Sequence, residues 1–581
     1  MATPSPSRSR RNRIWCLMHG PDIAIIVCYF LTMIAVGAAY SRHMRSADMY
    51  FAGGKQLPWW LGGVSFVMSY LSALSIIVYA GLGYQYGMVA LTLYWTTVPA
   101  ALLTTWLFAR RWRRAGVITP TQFLEERFSP SIRQLFVWSG VPLKVIDEGL
   151  KIVAIGIFVS AGLGISAPWA MVAIGITILL YSVAGGLWAV VVTDFVQFIL
   201  VTGAILLLLP LSYRAAGGWT HFLKNVPHDF FSPVHTPYVW SYVFGFLVLS
   251  CLSLSGNWSL IQKFYSARSD RESVRMGWLA SALFLALPPV WIFTGMLARA
   301  FVAPTGFDPQ TIYARLVAQL LPQGMIGLVV AALFAATMSV LSSGYNVMSA
   351  VLTLDVYHRW MRPQADQKEL VLVGRVLTAV IGIVVLLIAL AVTYYHWSIF
   401  NTMVAAFGFL LPPTVLPLLA GLLSRRLSSA GALAGFVSGL VVGGVMLGYR
   451  LFAHPSDSGA FQAASILVPV ACVSLVLWGW ATWCPAQGPE RERASRFITG
   501  LGEPSRDSEG VVASPAPIAG LVIGTMGITL VIVSLFPLTS GQDISSITLG
   551  MGVLFIIVGL GMISMRWLGS SKGNEKPQIG A

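Results

Sequence analysis

Apolar runs of about twenty residues, long enough to cross a bilayer, recur along nearly the whole chain with short polar loops between them. Read at helical period, they predict membrane helices at 22–42, 58–83, 88–109, 135–163, 168–188, 189–212, 240–262, 276–303, 323–352, 369–394, 399–424, 429–452, 463–484, 516–536 and 546–567. The stretch Tyr213–Pro237, rich in Gly, His and Pro, is the one long connection in the first half and divides two sets of five helices. Two spans are punctuated. The second carries Ser65, Ser69, Ser72 and Ser75 ahead of Gly81 and Gly83, and the seventh runs CLSLSGNWSLIQ around Gly256. Interrupted helices at matching places in two halves point to a midplane binding site, although Gly and Ser also serve close helix packing. Packing is the reading for Gly431, Gly435, Gly439 and Gly443, spaced by four on the twelfth span.

Charges inside these runs are few and therefore informative. Asp194 is the only charged residue between Lys151 and Arg214, and a carboxylate at membrane depth costs about 2.5–3.5 kcal/mol on insertion scales, so it needs a partner. Ser339, Ser342, Ser343 and Asn346 supply a row of oxygen donors at helical spacing in another charge-free run, and oxygen-only ligands suit a small hard cation. Two structural alternatives stand beside this: Asp194, after Thr193, caps its helix or reaches water, and the serines bond back to their own helix carbonyls. Lys144, Asp147, Glu148 and Lys151 share one stripe of the fourth span, with opposite charges four residues apart. That stripe is either self-neutralising or a place where Lys151 meets an anionic substrate.

Composition agrees with a polytopic membrane protein. Over 581 residues the chain is 56% hydrophobic and 10% charged, against about 25% charged in a soluble globule. The excess of 37 Lys+Arg over 22 Asp+Glu lies in loops. Basic clusters follow every second span, at Arg42 and Arg45, Arg110–Arg114, Lys263–Arg275, Arg359 and Arg362, Arg425 and Arg426, and Arg491–Arg496. By the positive-inside rule these loops are cytoplasmic. No basic domain with interleaved exposed aromatics is present, which argues against nucleic acid as a partner. The five cysteines show no CxxC spacing, so neither a disulfide framework nor a zinc site is implied. No convergent His, Cys or acid cluster suggests an enzyme.

Four ordered blocks carry a family likeness: Tyr50–Lys55 leading to Trp59 and Trp60, RRWRRAGVITPTQFLEERF (Arg110–Phe128), YSVAGGLWAVVVTDFVQ (Tyr181–Gln197) and TLDVY (Thr353–Tyr357). With them the chain, from about Asp22 to Arg426, resembles the sodium:solute symporter family of sodium/glucose, sodium/iodide, sodium/proline and sialic acid cotransporters. Its second span is most similar to the branch carrying monocarboxylates, vitamins and iodide. The resemblance implies an all-α polytopic membrane protein with a LeuT-like five-plus-five inverted repeat. The expected parts are a basic tail (1–21), an extra N-terminal helix and loop (22–57), a first repeat (58–212), a second repeat (240–424) and about four further helices and a tail (425–581).

The resemblance also implies residues. One sodium ion would bind main-chain carbonyls at Met68 and Leu71 together with Ala336, Ser339 and the position of Val340, where relatives carry Ser or Thr and a methyl cannot coordinate. A second would bind Asp194, Ser339, Ser342 and Ser343. Val404 and Phe284 stand where sugar-transporting relatives have a Gln and a Lys, which disfavours sugar. Ser69, Ser72, Ser75, Asn257, Trp258, Gln262 and Phe407 are the expected cavity wall, with Lys151 facing an anionic group. The implied activity is uptake of a small polar solute, an organic anion, across the cell membrane by alternating access, with sodium as coupling ion and the lipid bilayer as surroundings. Proton-coupled or uncoupled transport, or a transporter-like sensor acting through a partner, are the alternatives.

Overall fold

The computed structural model describes residues 20–41, 47–163, 165–303, 309–321, 325–395, 399–453 and 459–504, with scattered positions between 524 and 561. The apolar runs form helices because a segment in hydrocarbon must satisfy its own backbone N–H and C=O groups. In chain order they are α1 (Gly20–Ser41), α2 (Trp59–Met68), α3 (Ala73–Tyr86), α4 (Met88–Arg114), α5 (Pro130–Leu163), α6 (Ala167–Val183), α7 (Leu187–Ala215), α8 (Trp240–Gly256), α9 (Trp258–Tyr265), α10 (Asp270–Ala298), α11 (Met325–Met361), α12 (Gln367–Tyr394), α13 (Ile399–Leu423), α14 (Ser429–Ala453), α15 (Gly459–Trp483) and α16 (Gly488–Gly500). The spans expected at 516–536 and 546–567, and the basic tail up to residue 19, lie wholly or mostly outside the described residues.

Both punctuated spans are broken. The α2–α3 pair bends by 61° and the α8–α9 pair by 50°. Helix continues from α6 into α7, yet the Tyr181 hydroxyl bonds the Thr193 hydroxyl twelve residues later. A straight helix would hold those positions about 18 Å apart, so the chain folds back sharply between them and makes two spans.

α11 is the axis of the molecule. Every residue from Met325 to Val351 is buried, so its polar side chains meet protein rather than lipid. α7 packs along it, with α1, α5 and α12 beside. The extra helix α1 is fastened to this axis: the Gly327 amide donates to the Asp22 carboxylate at 2.7 Å, and the Gln197 amide donates to the Tyr29 hydroxyl at 2.9 Å. The α14 glycines do pack, since a Cβ at Gly431 would lie 2.7 Å from Trp480 and one at Gly435 2.6 Å from Leu477.

The basic loops converge on one end. There Arg113 donates to the Arg268 carbonyl at 2.9 Å, Arg114 pairs with Asp270 at 2.7 Å, and Arg127 donates to the Leu427 carbonyl at 2.8 Å. Burial lowers the Arg127 guanidinium to about 10, with Glu490 opposing that shift. Asp355 of the TLDVY block is buried at the same end and accepts from Arg133, Thr119 and Thr121. Two of the blocks that carry the family likeness are thus locked together.

A candidate cation and solute site

The breaks in α2–α3 and α8–α9 line one cavity, the first through Ser69, Tyr70 and Ser72 and the second through Asn257. Where α2 ends, Ser69 and Leu71 still donate back to Ser65 and Val67, but no described loop or cap amide takes the carbonyls of Met68, Ser69, Tyr70 or Leu71. Those carbonyls are free of the helical ladder. α11 flanks the gap, where the Ala73 amide donates to the Thr337 hydroxyl at 3.2 Å and Ala336 is fully buried next to it. Val340 is buried one turn further along and brings only methyl groups.

Asp194 lies on the α7 face turned to α11 and is 0% exposed. Its Oδ1 accepts from the Ser339 hydroxyl at 2.5 Å, and its Oδ2 accepts from the Ser65 hydroxyl on α2. The capping alternative is thereby excluded in this conformation, because the carboxylate points inward. Ser343 and Ser69 share a hydroxyl–hydroxyl bond at 3.0 Å. Ser342 instead donates to the Ser339 carbonyl at 3.1 Å, the back-bonding fate open to any helical serine. Asp194, Ser65 and Ser339 thus form an all-oxygen cluster of the kind that suits a small hard cation.

One residue corrects the expectation. The charge pattern puts Lys263 in the cytoplasmic basic cluster, but α9 runs on to Tyr265 with every residue buried, and the Leu57 amide bonding the Ser266 carbonyl at 2.9 Å pins the chain just beyond it. The Lys263 ammonium is 0% exposed, 4.0 Å from Asp194 Oδ2, and donates to the Ser343 hydroxyl at 3.5 Å. The signal available in sequence was helical continuity: WSLIQKFY keeps its apolar face through the lysine.

Next to the α2–α3 break opens a cavity of about 910 Å³, open solvent included, lined by Ser69, Ser72, Ser75, Asn257, Phe407 and Lys151 among others. Sequence reasoning missed much of its polar wall, including Tyr70, Tyr79, Tyr94, Thr97, Ser250, Ser253 and Asp147. A second cavity, about 540 Å³, continues toward the basic end and shares Asp147, Ser253, Asn257 and Phe407 with the first. Trp258 lines this lower space and not the upper one, its ring filling the room above Gly140. Gln262 lines neither. Its amide is committed to the Phe51 carbonyl and to Asn346, each at 2.7 Å, so it acts as a cross-link between the break and α11.

The α5 quartet forms one wall. The Lys151 ammonium donates to Asp147 and Glu148, both at 2.9 Å, and Lys144 reaches Glu148 at 2.9 Å. Glu148 is buried while the Asp147 side chain is 15% exposed, so the quartet is neutral as a whole yet presents Lys151 and Asp147 to the cavity.

The model of the sodium:solute symporter family matches residues 50–439. The chain belongs to that family. Sodium/glucose cotransporter 4 of Homo sapiens is 27% identical over 459 residues, covering 71% of this symporter and 67% of that protein. Sodium/glucose cotransporter 1 of Ovis aries is 24% identical over 510 residues, covering 79% and 75%. Among solved structures, a Na+-coupled sialic acid symporter in a substrate-bound outward-open state superposes with TM-score 0.70 at 21% identity, covering 81% of this chain and 99% of that one. At that identity the match speaks for the LeuT-like fold. The symporter is a multi-pass integral membrane transporter rather than an enzyme, and sodium is its coupling ion.

Proposed function

We propose that this symporter takes up a small organic anion into the cell across the cell membrane, with the solute in the cavity beside the α2–α3 break and sodium at the adjoining carbonyls of Met68 and Leu71, with Ala336 and Ser339. The observation that carries the solute class is the cavity wall: among the described residues it has many hydroxyls and one ammonium, Lys151. An ammonium has three N–H donors, and Lys151 uses two on Asp147 and Glu148, which leaves the third for an anionic group. Phe407 and the tyrosines suit a short apolar body behind that group. Sugar is a poorer fit, since Val404 is buried away from both cavities and Phe284 packs edge-to-face against Phe66 and Tyr70. Asp147 on the same wall favours a second reading, a zwitterion whose ammonium meets that carboxylate.

Sodium at the break and solute beside it share the α2–α3 turn, so each fixes the conformation that the other needs. A ligand shifts such an equilibrium only by its differential affinity for the two states. The bundle would then rock against the scaffold about this point and open the lower cavity. The test is competition of uptake in proteoliposomes by short carboxylates, zwitterions, polyols and sugars, with and without Lys151→Met. Inhibition by carboxylates that weakens about 10–100-fold in the variant, the range for a hydrogen bond to a charged group, supports the reading. Inhibition by sugars with Lys151→Met silent overturns it.

A further inference from the structure

The Lys263 ammonium sits where a second sodium ion would need to be. Of the four side chains implied for that ion, two, Asp194 and Ser343, are within 4.0 and 3.5 Å of its nitrogen. A third, Ser342, is turned to its own helix, and the fourth, Ser339, donates to the same carboxylate. The pair is enclosed on all sides, and both partners are 0% exposed. A buried carboxylate with one ammonium beside it is close to neutral, and a sodium ion added to the cluster would leave an uncompensated buried charge, which is strongly unfavourable.

We propose that Lys263 is a tethered cation that competes with sodium for the Asp194–Ser343 cluster, so that ion and ammonium are alternative occupants. With the ammonium in place, the cluster is neutral in the ion-free protein and needs no second cation from solution during the return of the empty carrier. Entry of an ion there requires the lysine to swing away along α9. The inference rests on the reading of Asp194 as part of a cation site.

The geometry gives the size of the effect. A unit charge about 4 Å away, at an effective dielectric of about 20, alters ion affinity by two to three orders of magnitude. The experiment is equilibrium binding of radioactive sodium alone to the purified full-length protein, comparing wild type with Lys263→Gln, Lys263→Met and Lys263→Arg. Met keeps the stem volume without charge, so one neutral variant remains informative if the other does not stay monodisperse. The expected result is sodium affinity raised about 100-fold in the neutral variants and unchanged in Lys263→Arg, with the gain abolished by adding Asp194→Asn. Neutral variants that are monodisperse yet bind sodium no tighter than wild type overturn the proposal, as does a gain that persists without Asp194. A gain that persists on the Lys263→Met background without Asp194 reports separately on the underlying reading, because Asp194 is then not part of a cation site, whereas no gain in either neutral variant fails the lysine proposal alone.

Discussion

Replacing Asp194 by Asn tests the buried cluster through stability. The carboxylate accepts from Ser339 at 2.5 Å and from Ser65, and faces the Lys263 ammonium at 4.0 Å, with no exposed surface on either charged partner. Asn keeps the shape and one acceptor but removes the charge. Lys263 is then left buried without a counter-charge, a situation that costs about 3–5 kcal/mol when one partner of a buried pair is deleted. Weakening two charge-assisted hydrogen bonds adds about 1 kcal/mol each. Removing both charges, as Asp194→Asn with Lys263→Met, deletes the larger contribution and leaves only the hydrogen-bond part. The assay is the fraction of purified protein that remains monodisperse after heating, read across a temperature series. The single variant loses stability clearly and the double variant regains most of it. A single variant as stable as wild type, or a double variant no better than the single, refutes the coupling between these residues.

Val340→Ser restores a hydroxyl beside the carbonyls of Met68 and Leu71, and apparent sodium affinity should rise by about tenfold, equivalent to about 1.4 kcal/mol; an unchanged sodium titration would place the ion elsewhere. Gly140→Ala sets a Cβ 2.2 Å from the Trp258 ring, so overpacking by about 1–3 kcal/mol is expected, with a lower midpoint in the same heating series and full recovery not expected from any change in salt. A stability equal to wild type would mean that Trp258 moves freely in the lower cavity.

Much of the fold is legible in the chain because the bilayer leaves few alternatives. Run lengths place the helices, Gly256 and the Ser69–Ser72 segment mark the breaks, and Asp194 announces itself by the cost of an isolated acid. Its inward orientation follows from the serines of α11, which periodicity puts on one face. What periodicity does not carry is depth. Lys263 reads as the first residue of a basic loop because positive charge usually marks the cytoplasmic edge, yet the Gln262 cross-link to Phe51 and Asn346 holds it within the protein. The cavity wall was partly hidden for a related reason. Tyr79 comes from α3, and Tyr94 and Thr97 come from α4, which packs on α3, α8 and α10; no spacing within one helix reveals which aromatic turns to lipid and which to a solute. Gln262 shows the converse, a polar residue near a break whose amide is taken up by the Phe51 carbonyl and the Asn346 side chain.

The most direct test of sodium coupling at this site is solute accumulation in proteoliposomes under an imposed gradient, sodium or proton in turn, for wild type and Asp194→Asn. Accumulation driven by inward sodium, indifferent to pH and strongly reduced in the variant, is the expected result. Accumulation that ignores sodium and follows an inward proton gradient would contradict it.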